Sequence, residues 1–358
     1  MTTRQIRNIA VPVVIVVLLA LVPKVSVDIP YVFKTGISTP GTLELLGLML
    51  VFAGVALTYD LLFGFTGLLS FGHALYFATG VYVADVAMTK WHWSFTESLL
   101  ITALVGLLLP IVLGFVSLRV GGIAFAMVTL AFAQAGQVLV QKNPSGLTGG
   151  EEGLGVDYTK LPAGLVGIFN TKNLYWIALG YAAAVFVIVR WAVESSPGHV
   201  WQAIRENELR VQVLGLRPRT FKLMAFVLSS FLCTAGGVVY LLLLGGATPE
   251  VTTANFTLTL LVMVVIGGTG TRWGALVGGA IYTYADHRLG DLSSSHAVSS
   301  LPSVLRTPLQ EPLFVLGTLF ILVVFFVPGG LARIGSVGRP RTLQRLSQAM
   351  RRPQGESA

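Results

Sequence analysis

Ten apolar stretches separated by short polar clusters lay out the chain, at about 9–22, 43–63, 66–88, 97–118, 121–140, 173–193, 223–244, 257–268, 274–289 and 311–328. A helix needs about 20 apolar residues to cross a bilayer, and most of the stretches approach that length. The pattern predicts an all-α, polytopic transmembrane helical bundle of about 10 spans; 8 or 9 would also satisfy it, because the stretches on either side of Gly267–Gly274 are short. Arg4 and Arg7 before the first stretch resemble a secretory signal, but Pro23-Lys24-Val25-Ser26-Val27 offers no small-x-small cleavage pattern. The first stretch is therefore read as an uncleaved span.

One polar segment interrupts this layout at length. Glu194–Lys222 carries Arg205, Glu206, Glu208, Arg210, Arg217, Arg219 and Lys222 between two stretches of bilayer length. Ser195 or Ser196 can cap a helix with Pro197 in its first turn, Trp201, Ile204, Val211 and Leu214 recur at helical spacing, and Gly215 ends the run. The spacing predicts a single polar surface helix. Its mixed charge fits a docking element for a soluble partner; an amphipathic helix lying in the lipid interface is the other reading.

Composition narrows the class. The chain is 54% hydrophobic and 11% charged, whereas a soluble domain carries about 25% charged residues, so a water-soluble globule is excluded. The single Cys233 lies in an apolar run and excludes disulfide frameworks and cysteine-based metal sites. The net charge of +8 does not call for nucleic acid, because the basic residues cluster between and after the spans. With the N-terminus inside, sixteen of the 24 Lys and Arg residues fall in cytoplasmic segments and eight outside, which places both termini and the 194–222 loop in the cytoplasm. Residues 1–328 form the membrane domain, and 329–358 a basic cytoplasmic tail without a long apolar run.

Candidate chemistry is sparse. In the third stretch Gly64, Gly67, Gly72 and Gly80 allow close helix approach, and Ser70 and His73 are spaced to share one helix face. Interrupted helices often mark transporter sites, so pathway lining or a gate stands beside plain packing here. Gly267-Gly268-Thr269-Gly270 reads as a tight inter-helix turn, since no phosphate-loop lysine accompanies it. Asp60, Asp85, Glu97, Asp286 and Glu311 all fall near span ends, which disfavours a proton-coupled carrier. Gln134 and Gln137 supply neutral polar groups inside the fifth stretch, for a pathway or for inter-helix hydrogen bonds. The five histidines occupy separate segments and suggest neither a metal site nor an intramembrane enzyme. The outer 142–173 loop, with Gly146, Gly149, Gly150, Gly153 and Gly155, reads as tight turns rather than a separate domain.

Four blocks, in order, resemble the permeases of branched-chain amino acid ABC transporters of the LivM type. They are Gly67-Leu68-Leu69-Ser70-Phe71-Gly72-His73-Ala74, Thr148-Gly149-Gly150 with Gly153-Leu154, Ser196-Pro197-Gly198-His199 with Ala203–Glu208, Leu214-Gly215 and Lys222, and Met263–Gly268 with Gly270 and Gly274. His199 and Arg272-Trp273 depart from the family pattern. The resemblance implies a homologous second permease, two cytoplasmic ATP-binding subunits, an external substrate-binding protein and a small amino-acid substrate. It implies no cofactor or catalytic residue in this chain, ATP being bound by the partner subunits. Together with the residue reading above, it makes Arg205, Glu206, Asn207, Glu208, Leu214, Gly215 and Lys222 the candidates for ATPase coupling, and Gly67, Ser70, Phe71, Gly72, His73, Gln134, Gln137, Gly267 and Gly268 the candidates for the pathway or a gate. The location implied is a prokaryotic cytoplasmic membrane. A urea, short-amide or other amino-acid permease is the alternative within the class; a stand-alone ion-coupled carrier or channel is the alternative outside it.

Overall fold

Proline at the first helical position begins two of the longest helices, α2 (Pro40–Asp60) and α9 (Pro218–Leu244), where its missing N–H costs no hydrogen bond. In the computed structural model, which describes residues 3–24, 36, 38–167, 170–293, 312–327 and 329–334, the chain is built from helices joined by turns. In order they are α1 (Thr3–Leu21), α2, α3 (His73–Thr89), α4 (Phe95–Ser117), α5 (Ile123–Lys142), α6 (Thr171–Glu194), α7 (Ser196–Glu206), α8 (Glu208–Val213), α9, α10 (Ala254–Gly267), α11 (Arg272–Ser293) and α12 (Pro312–Phe326). Five helical stretches among the described residues are long and apolar enough to cross a membrane: Pro40–Thr66, Phe95–Ser117, Ile123–Lys142, Thr171–Glu194 and Pro218–Leu244. The predicted spans at 257–268 and 311–328 appear as shorter apolar helices. The basic tail beyond residue 334, the 294–311 connection and residues 25–35 lie outside the described residues.

Local chemistry sets the helix ends. Ser94 and Glu97 form a reciprocal capping box at α4: Ser94 N donates to Glu97 Oε2 at 2.9 Å and Glu97 N to Ser94 Oγ at 3.4 Å. Gly245, at φ 70, ends α9 in the left-handed conformation.

The core lies where α2, α3 and α9 meet. Phe77 of α3 packs on Phe256 of α10 and Tyr240 of α9, with ring centroids 4.7 and 5.2 Å apart. Burial is uneven along the bundle: 72% of the apolar window of α2 is buried, but only 22% of that of α4. α4 therefore leaves most of its apolar face to lipid or to another protein.

Two ends can be told apart. At one, the strand pair Leu154–Gly155 and Gly246–Ala247 ties the long glycine-rich connection to the one after α9. The left-handed glycines 149, 150 and 153 (φ 75, 62 and 77) let that connection turn tightly. At the other end lie α7, α8 and the turn between α10 and α11. Arg272 Nη1 donates to Glu194 Oε1 at 2.6 Å there, and Trp273 packs on Phe186 at 4.8 Å. The 194–222 segment and the 267–274 turn thus share an end, as the alternation of spans requires.

Candidate functional site

The structure breaks the predicted third span. α2 runs past Asp60 into a wider π turn over Leu61–Thr66, Gly67 stops it at φ 76, and helix resumes only at His73. Ser70 and His73 consequently do not share a helix face; Ser70 lies in the unwound stretch and accepts from Gly72 N at 3.2 Å. Unwound backbone that is largely buried needs partners from elsewhere. Thr129 of α5 accepts from Phe71 N at 3.1 Å, and Thr257 of α10 donates to Phe71 O at 3.3 Å and accepts from Ala74 N at 3.0 Å. Neither threonine stands out in sequence, where a hydroxyl inside an apolar run reads as neutral.

His73 begins α3 fully buried, its ring edge-on to Tyr59 at 4.8 Å. Ser229 donates its only proton to Thr58 O at 2.5 Å, so His73 Nε2 must donate to Ser229 Oγ, 3.1 Å away. That fixes the tautomer and leaves Nδ1 without a partner. Ser229→Ala strands both neighbours, and the expected loss is about 1–3 kcal/mol, read as a fall in the thermal midpoint of the purified chain in detergent.

The charged loop reaches this break directly. The predicted single helix is two, α7 and α8, split at Asn207 (φ −162, ψ 104), whose Oδ1 accepts from Arg210 N at 3.1 Å and caps α8. Ser195 caps α7, accepting from Gly198 N at 3.4 Å, and His199 Nδ1 bonds the Ser195 carbonyl at 2.8 Å. Trp201 and Ile204 bury against the bundle, and Trp201 Nε1 donates to Phe221 O at 2.8 Å. Arg205 Nη1 donates to the Gly64 carbonyl, and a Cβ at Gly67 would meet Arg205 Cγ at 3.1 Å. Gly270 N donates to Asp60 Oδ1 at 2.8 Å, while Asp60 Oδ2, fully buried, has no partner. One small region thus joins the end of α2, the last turn of α7 and the α10–α11 turn.

The remaining predicted residues divide. Glu206 and Asn207 are exposed; Glu208 is paired with Lys222 at 2.7 Å, fastening α8 to α9. α9 starts at Pro218 rather than at the predicted 223, because proline nucleates its first turn. Leu214 and Gly215 (φ 82) are exposed beyond α8. Gly267 packs on the Gly274 backbone and Gly268 turns the chain at φ 113. Gln137 lines a cavity near the other end, whereas Gln134 is exposed on α5. Arg272, one of the departures from the family pattern, is held by Glu194.

Against known proteins, the profile of the family described as "Branched-chain amino acid transport system / permease component" matches residues 41–326. The chain belongs to that family, a polytopic helical class of transport subunits in the membrane. It is 24% identical over 313 residues to the high-affinity branched-chain amino acid transport system permease protein LivM of Escherichia coli K12, covering 81% of this chain and 70% of that protein. The Salmonella typhimurium LivM is 23% identical over the same shares, and the probable branched-chain amino acid transport permease protein LivM of Methanocaldococcus jannaschii 24% identical over 178 residues, 49% of this chain and 51% of that one. No solved structure matches the chain.

Proposed function

We propose that this chain is one permease subunit of an ATP-driven importer for leucine, isoleucine and valine, spanning the membrane ten times with both termini and the 194–222 loop on the cytoplasmic side. It pairs with a homologous second permease, receives substrate from an external binding protein and is driven by two cytoplasmic ATP-binding subunits. The basic tail from 329 contacts solvent or lipid headgroups on the cytoplasmic side. The break at Gly67–His73 is the gate, and the exposed Gln134 of α5 faces the second permease and the pathway rather than lipid. What carries the reading is the two-faced loop. α7 is fastened inward by Trp201 and Arg205, while Leu209, Val213 and Leu214 are 70%, 87% and 78% exposed on and just beyond α8. Exposed leucines and a valine side by side on a loop held from behind form an apolar patch of the kind that a docking partner covers.

The test is paired substitution Val213→Glu with Leu214→Glu. Losing a buried interface anchor costs about 2 kcal/mol or more, so retention of the ATP-binding subunits through affinity purification is expected to fall about 30-fold, with membrane insertion unchanged. Glu206→Lys is the cleaner charge reversal, since Glu208→Lys also breaks the pair with Lys222. Undiminished retention in the paired variant, or uphill uptake by the purified chain alone in liposomes, would remove the proposal; the second outcome would establish a stand-alone carrier.

A further inference from the structure

A cavity of about 370 Å³ opens between α3, α5 and the connections at the end opposite α7. Leu75, Val83 and Val86 of α3 and Ala133 and Val140 of α5 line it, with Leu147 from the glycine-rich connection. Its lining reaches from Leu75 to Val86 of α3, a rise of about 16 Å at 1.5 Å per residue. It therefore runs from Leu147, Thr148 and Thr252, in the connections, to Leu75, two residues beyond the start of α3 at the break. Small-molecule sites have this size, about 300–1,000 Å³, and this balance of apolar wall and few polar groups. Gln137 contributes an amide. Tyr82, also in the lining and 5% exposed, has a buried hydroxyl without a partner, as has Oδ2 of Asp85 three residues along the same helix. A buried hydroxyl and carboxylate oxygen left unpaired are costly unless something completes them.

We infer that this cleft seats the aliphatic side chain of the transported amino acid, so that the membrane subunit itself selects for side-chain size on the way from the outer connections to the break. The ammonium group, three donors with no acceptor, meets the Tyr82 hydroxyl; Asp85 is not among the residues that line the cleft, and its Oδ1 accepts from Thr89 Oγ1 at 2.9 Å. The inference rests on the importer reading above but adds a specificity site to it. One methylene in an apolar pocket is worth about tenfold or more in discrimination.

The experiment uses the complete complex in liposomes, with the binding protein saturated in turn by leucine and by valine, and reads the ratio of their ATP-dependent uptake. Ala133→Leu, which fills the cleft, is expected to lower leucine relative to valine about tenfold. Val140→Ala, which enlarges it, is expected to raise leucine relative to valine at least threefold, and stands alone as the test if the filled variant does not assemble. A ratio within twofold of the parent in whichever variants assemble overturns the inference; that is also the result for a cleft that houses only a lipid chain. Absence of ATP-dependent uptake in the unsubstituted complex would instead count against the importer reading.

Discussion

Gly80→Val is expected to eliminate folded protein. α3 and α9 cross with backbone on backbone: a Cβ at Gly80 would run into the Thr234 carbonyl and lie 3.2 Å from Gly237 Cα, and one at Gly237 would lie 3.1 Å from Val81 N. Neither obstacle is a side chain that can rotate away, so the helices must separate along their whole contact. Separation would deprive Tyr76 O of the proton that Thr234 Oγ1 shares between it and Ser230 O, each at 3.0 Å, and open the Phe77–Tyr240 packing beside it. Overpacking costs about 1–3 kcal/mol where side chains can yield; with main chain on both sides and a hydrogen bond lost as well, the cost exceeds about 4 kcal/mol. A 17-residue α3 without this contact has no other long partner of comparable closeness than α4. The measurement is size-exclusion chromatography and thermal unfolding in detergent, with Gly180→Ala as control, since a Cβ there meets nothing within 4 Å. A monodisperse Gly80→Val protein with an unchanged thermal midpoint would show that α3 and α9 do not cross this way.

How far such a crossing can be read from sequence depends on which force set it. Apolar length is a property of composition, and the long stretches at 43–63, 97–118, 121–140, 173–193 and 223–244 match helices closely. The break is a different matter. Leu68, Leu69 and Phe71 keep the stretch apolar, so hydropathy runs straight through it, and what stops the helix is a single left-handed glycine whose vacated hydrogen bonds are met by Thr129 and Thr257, 58 and 183–186 residues away. Gly64, Gly67 and Gly72 mark the stretch as one that can be interrupted, but no local pattern names the two threonines that complete it. The split in the charged loop was legible in part: Asn207 followed by Glu208 is a cap and first-turn acid, but the continuous helical spacing from Trp201 to Leu214 masked it. Arg205 shows the same limit for function. Its charge made it a candidate for the partner surface, whereas its guanidinium turns inward to a glycine carbonyl made accessible by the absence of a side chain.

That inward turn makes Arg205→Ala the substitution with the largest expected effect on transport. The last turn of α7 sits over Gly67, its guanidinium donates to Gly64 O within electrostatic reach of Asp60, and Asp60 in turn holds the Gly270 amide. On the importer reading proposed above, movement of the loop would pass to the break through these contacts and to the α10–α11 turn through the same carboxylate. A hydrogen bond to a charged group is worth about 1.5–3 kcal/mol, and losing that from the coupling between loop and gate lowers uptake per ATP hydrolysed by about ten- to 150-fold. The loop keeps its Trp201 and Lys222 anchors, so the ATP-binding subunits are still retained and still hydrolyse ATP. Arg205→Lys restores a charge but not the planar guanidinium fork, and its expected uptake is intermediate. Asp60→Asn preserves an acceptor for Gly270 N and falls less than Asp60→Leu, which leaves that amide unpaired. The decisive quantity is the ratio of solute moved to ATP consumed in proteoliposomes. If Arg205→Ala lowers uptake and hydrolysis together, leaving their ratio intact, then Arg205 only holds the loop in place and the coupling between motor and gate runs elsewhere.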